Sequence, residues 1–157
     1  MNMQQWLCSK GEKAMREILF RGKRKDNGEW VEGDLLNYLG WGKVHIAQNY
    51  KGAGGQEVIP ETIGQYTGLC DKNGKKIFEG DIIHSFYANC RINEHIEKVV
   101  FYDGSFQSAN DKGDFFVKIS GKGSPTHLPQ DTSVYMIECE VIGNIHDNPE
   151  LLKEGAE

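Results

Sequence analysis

Apolar and polar residues alternate over much of this chain. Across residues 133–142, Tyr135, Ile137, Cys139 and Val141 fall on one side, and Glu138 and Glu140 on the other. A period of two is the mark of a half-buried strand. The same period runs through 16–24, where Ile18 and Phe20 oppose Leu19 and Arg21, and through 44–50, while 30–36 and 94–102 also read as strands. Shorter apolar runs at 57–60, 66–69, 77–86 and 115–119 also fit strands. Asn27-Gly28, Asn73-Gly74 and Asp103-Gly104 punctuate these runs. Such pairs take positive φ at both central positions of a two-residue hairpin turn. Only the end of the chain reads as helix. Asn148 suits the cap, Pro149 the first position and Gly155 the stop, with Leu151 and Leu152 facing a sheet.

One phrase occurs twice. Asn27-Gly28-Glu29-Trp30-Val31-Glu32-Gly33-Asp34-Leu35-Leu36 matches Asn73-Gly74-Lys75-Lys76-Ile77-Phe78-Glu79-Gly80-Asp81-Ile82-Ile83 with one residue inserted. A glycine inside a strand marks a bulge, a bend or the close approach of another backbone. The flanking carboxylates are then expected at the bend, facing solvent. The pattern predicts a mainly β fold: a small barrel, closed or open, built from two related hairpin units at about 15–64 and 65–157, with a short C-terminal helix. Residues 1–14 are polar apart from Trp6-Leu7 and read as an extension or an arm.

Length and composition fit one domain with a real core, or two small lobes. The chain has 157 residues, 38% of them hydrophobic and 26% charged, and its 19 glycines suit many turns. A net charge of −5 argues against indiscriminate nucleic-acid binding, which needs a basic footprint. A local basic patch does exist: Arg21, Lys23, Arg24 and Lys25. It can contact phosphate, or it can be a charged hairpin that discourages edge pairing. Tyr38 and Trp41, among glycines, are either recognition aromatics or a cap on the barrel end.

Specific chemistry is sparse. Cys8, Cys70, Cys90 and Cys139 form no Cys-x-x-Cys pair, which disfavours zinc and predicts four reduced thiols. Glu32 with Asp34, and Glu79 with Asp81, lie two apart on a strand and share a face. They are the only candidates for a metal-dependent enzyme. Calcium takes about six to eight oxygens, however, and no further acidic residues stand at ligand spacing. The glycine loop at 51–56 lacks the Gly-Lys-Ser/Thr of a phosphate loop, so no cofactor is expected. Ser85 beside His84 is not a catalytic set. The loop at 121–129 carries Gly and Pro punctuation and is long enough to be functional. No apolar run reaches the roughly 18–20 residues of a membrane span.

Four stretches carry a family resemblance. Gln65-Tyr66-Thr67-Gly68-Leu69 leads into Asp71-Lys72-Asn73-Gly74-Lys75. Phe78-Glu79-Gly80-Asp81-Ile82 follows, and Val141-Ile142-Gly143-Asn144-Ile145-His146-Asp147-Asn148-Pro149-Glu150-Leu151-Leu152 closes the set. Together with Met15-Arg16-Glu17-Ile18-Leu19-Phe20-Arg21-Gly22-Lys23, they resemble the YopX family over roughly residues 15–152, most loosely at 87–133. That family consists of small proteins encoded mostly by phages and prophages. The resemblance implies a mainly β domain and a phage-related origin, and it implies no activity; the lack of a secretory signal sets the expectation of the bacterial host's cytoplasm. With no catalytic set, the reading is a non-enzymatic accessory protein. It would act by contact with a phage or host protein, or by self-association. The alternative is a nucleic-acid-binding small barrel using Arg21, Lys23, Arg24 and Lys25.

Overall fold

The computed structural model describes residues 16–38, 42–48, 54–88, 94–113, 116–119 and 135–154. The expectations for residues 1–14, for Trp41 and for the loop at 121–129 lie outside these residues. The chain forms two compact units that divide between Tyr66 and Thr67. Both are antiparallel β structures, and among the described residues no sheet closes into a barrel.

The first unit contains β1 (Phe20–Lys23), β2 (Trp30–Tyr38), β3 (Lys43–Ala47), β4 (Gln56–Val58), one 3-10 turn (Pro60–Thr62) and the start of β5 (Gly64–Cys70). Its hydrogen-bonded order is β4-β3-β2-β1-β5. β2 changes partner at Gly33: it pairs with β1 from Trp30 to Gly33 and with β3 from Asp34 onward. A Cβ at Gly33 would lie 2.0 Å from the Ala47 carbonyl oxygen, so the close approach requires glycine. An isolated bridge, Arg24↔Val58, brings β4 back to the end of β1. Ile59 N–H donates to the Lys23 carbonyl there, and Lys25 N–H to Glu57. Alternation puts Val31, Ile46 and Val58 in the core, with Phe20, Leu35, Val44 and Ile63 packed against them.

The second unit takes up the rest of β5, then β6 (Lys76–Phe78), β7 (Asp81–Ala88), β8 (Glu94–Tyr102), β9 (Ser105–Ala109), β10 (Phe116–Lys118), β11 (Tyr135–Asn144) and the helix α1 (Leu151–Glu154). Its five-stranded sheet runs β10-β9-β8-β7-β11. Ile77, Ile83, Tyr87, Val99, Ile119, Met136, Cys139 and Val141 form its core. Leu152 of α1 is buried, as its place in the pattern predicts.

Four expectations change. The run at 77–86 is two strands, because Glu79-Gly80 turns between β6 and β7 with Gly80 at φ +81. The two Asn-Gly pairs are not two-residue turns: only Gly28 and Gly74 have positive φ, and each ends a longer loop. Asp103-Gly104 does take the two-residue form, with φ of 48 and 76. β11 is not a clean alternation either. Register shifts between Met136 and Glu138 and between Val141 and Gly143 place Met136 in the same core as Cys139. Finally, Cys70 is disulfide-bonded, against the expectation of four reduced thiols; its partner lies outside the described residues.

Candidate functional site

The residues of the most specific motifs bond to backbone. Asp71 is buried, and its carboxylate accepts three main-chain N–H groups. Oδ1 takes those of Asn73 and Lys75, both at 2.9 Å, and Oδ2 takes that of Val141 at 3.0 Å. One side chain thus shapes the β5–β6 loop and pins it to β11. Lys72 N–H donates to the Cys139 carbonyl, and the Lys72 ammonium meets Glu140 at 2.6 Å. That hydrogen bond holds the Glu140 carboxyl below the usual carboxylate range. In the closing motif, Asn144 Oδ1 accepts the N–H groups of His146 and Asp147. A Cβ at Gly143 would sit 2.7 Å from Asn148 Oδ1.

The two Glu-Gly-Asp copies differ. Glu32 and Asp34 are exposed on β2, facing solvent as expected. In the second copy Asp81 is 1% exposed, contrary to that expectation. Its Oδ2 accepts the Phe78 N–H at 2.7 Å and closes the β6–β7 turn. Gly80 N–H donates to Val99, and Ile145 N–H to Gly80, so the turn is tied to β8 and to the closing motif. Glu79 is half-buried beside it. Among the described residues no group of three or more His, Cys, Asp or Glu side chains is placed to hold a metal ion.

The basic patch lies on the β1–β2 hairpin. Register pairs Arg21 with Glu32 and Lys23 with Trp30, placing all four on one face. Arg21 lies 4.8 Å from the Trp30 ring centroid and Lys23 Nζ 5.7 Å. Arg24 grips Asp26 through two bonds, at 3.0 and 2.6 Å, and holds that carboxyl below its usual range. Lys25 meets Glu57 at 2.8 Å, and the bond raises the Lys25 ammonium. Two of the four cations therefore already have carboxylate partners. Tyr38 ends β2 opposite Lys43.

Two features fall outside the motifs. The β8–β9 hairpin ends in Phe101 and Tyr102, each 54% exposed. Phe101 packs edge-on against Phe106 at 5.1 Å, and Gln107 Nε2 clamps the tip by donating to the Tyr102 carbonyl and to Ser105. The other feature is a buried polar group inside the second core. Glu97 Oε2 accepts the hydroxyls of Ser85 and Tyr87, both at 2.5 Å, and Ser108 Oγ lies 2.9 Å from the Tyr87 oxygen. Burial first, then the Glu97 carboxylate, push the Tyr87 phenol well up. Sequence reasoning passed over both features. The signals were two consecutive aromatics before an Asp-Gly turn, and a glutamate on the core-facing side of β8 between His95 and Val99.

Fold and bonding together define a two-unit antiparallel β protein whose signature residues serve turns and strand junctions. The sequence profile of the YopX protein family matches residues 19–153, nearly the whole described span. The chain belongs to the YopX family. A crystal structure of protein EF1440 from Enterococcus faecalis is similar, at 24% identity and a TM-score of 0.48, covering 88% of this chain and 99% of that one. No curated protein matches.

Proposed function

We propose that this protein is a non-enzymatic accessory protein of a phage or prophage, acting by contact with a phage or host protein. The observation that carries this reading is the β8–β9 tip. Two large aromatics stand more than half exposed on a hairpin whose conformation is clamped. Aromatic anchors held rigid in advance are the residues that dominate protein interfaces, because little side-chain freedom is lost when they are buried. The signature carboxylates support a non-catalytic reading, since Asp71 spends both oxygens, and Asp81 its Oδ2, on backbone N–H groups.

The nucleic-acid alternative is weakened by the carboxylate partners of Arg24 and Lys25. Native mass spectrometry on protein purified gently from its own cell after prophage induction separates the readings. The interaction reading expects added mass equal to a second polypeptide, lost when Phe101 and Tyr102 are both replaced by serine. Added mass removed by nuclease would favour the alternative. A bare chain, or a complex indifferent to the double replacement, would refute the assignment of the tip.

A further inference from the structure

The polar group in the second core is incomplete in one respect. Glu97 is 1% exposed and sits among core residues of β7, β8 and β9. Two hydroxyl protons, those of Ser85 and Tyr87, go to it, and a third hydroxyl, Ser108, lies against the Tyr87 oxygen. Tyr87 donates to Glu97 Oε2 and lies within reach of Ser108, while Ser85 donates to Oε2, with the His95 carbonyl at 3.1 Å as its second acceptor. None of these protons reaches Oε1. Among the described residues that buried oxygen has no hydrogen-bond partner, and Glu97 takes part in no ion pair. A carboxylate charge in an apolar core is costly unless a partner neutralises it.

We infer that Glu97 is the charged ligand of a buried site for one small monovalent cation. The nearby donors are all oxygen: the Glu97 carboxylate with the Ser85 and Tyr87 hydroxyls bonded to it, and the Ser108 hydroxyl and His95 carbonyl one hydrogen bond further out. Oxygen-only surroundings suit hard cations and ammonium. Charge decides between valences. One carboxylate balances one positive charge, whereas a divalent ion would leave an uncompensated charge in the core, and calcium sites take about six to eight oxygens. The site is independent of the aromatic tip and of any partner, so neither inference stands or falls with the other.

The test is thermal unfolding of the full chain in chloride salts of sodium, potassium, ammonium and choline, at one ionic strength and one pH. Choline is too large for a buried site and sets the baseline. A ligand that binds only the folded form multiplies the folding equilibrium by 1 + [L]/Kd, about a hundred-fold at a hundred times Kd. At least one small cation should raise the melting temperature saturably above choline, and Glu97→Gln should erase the difference. Ser108→Ala, which keeps the carboxylate, should weaken the preference and serves if the first variant does not fold. Excess sodium-23 relaxation, measured on wild-type protein, reads occupancy without a variant. Identical melting in all four salts with no excess relaxation would overturn the site. So would a cation preference that survives Glu97→Gln unchanged.

Discussion

Replacing Asp71 by alanine should unfold the second unit more readily than any exposed change of similar size. Its carboxylate accepts three backbone N–H groups while 1% exposed. Asn73 and Lys75 are exposed, so water can take over their N–H groups, and each bond lost there costs about 0.5–1.5 kcal/mol. Val141 is buried, and a donor stranded beside it costs about 1–3 kcal/mol. The sum is roughly 2–6 kcal/mol, a large share of the about 5–15 kcal/mol that holds a domain folded. Urea unfolding followed by far-UV circular dichroism is the assay. With a slope near 1.5 kcal/mol per molar, the midpoint should fall by roughly 1–4 M. Asn73→Ala, at an exposed position of the same loop, is the control and should move it far less. A loss under about 1 kcal/mol for Asp71→Ala, the range of ordinary surface changes, would refute the idea that this carboxylate organises the loop.

Other outcomes follow from the same structure. Gly33→Ala should destabilise the first unit by more than about 2 kcal/mol, since the new methyl meets a backbone oxygen, whereas Gly28→Ala, with open space at φ +74, should cost about 1–2 kcal/mol in a melting comparison. Burial pushes the Cys139 thiol up to about 12, above its unfolded value near 9. The neutral thiol is retained in the fold while the unfolded chain ionises, so stability should hold below about pH 9 and fall as pH rises from there towards 12, by at most about 1.4 kcal/mol per pH unit. Cys139→Ala should remove the part of that decline that sets in near pH 9 in melting curves, leaving the later part that the raised Tyr87 phenol contributes. The same burial should leave Cys139 unreactive towards a thiol reagent at pH 8 in the folded protein, and rapid labelling there would contradict it.

Much of the fold was legible because alternation is a local signal. β3 overlaps the alternating run at 44–50, and β8 runs over 94–102 as read, up to the Asp103-Gly104 turn that joins it to its partner. What escaped depended on distant partners. The repeated Glu-Gly-Asp phrase looks alike in both copies, yet Gly33 stays in a strand against Ala47, while Gly80 turns because Val99 and Ile145 bond to its backbone. The β11 bulges are equally hidden, because the sequence shows a clean alternation that pairing with β7 interrupts. The basic patch was visible as a run of cations, and Asp26 meets Arg24 within the same turn, but the pairing of Lys25 with Glu57 needed the β4 return. Glu97 was visible only as a misfit in a strand pattern, and the aromatic tip only as two adjacent aromatics before a turn.

The claim that contact through the hairpin tip is the work of this protein is tested most directly by photocrosslinking in the producing cell. Phe101→benzoylphenylalanine places the reactive ring at the tip, and the same substitution at the exposed Lys112 serves as the control. The expected result is one discrete protein adduct from position 101 and none from position 112. Equal adducts from both positions, or none from position 101 in cells where the chain is folded and abundant, would contradict it.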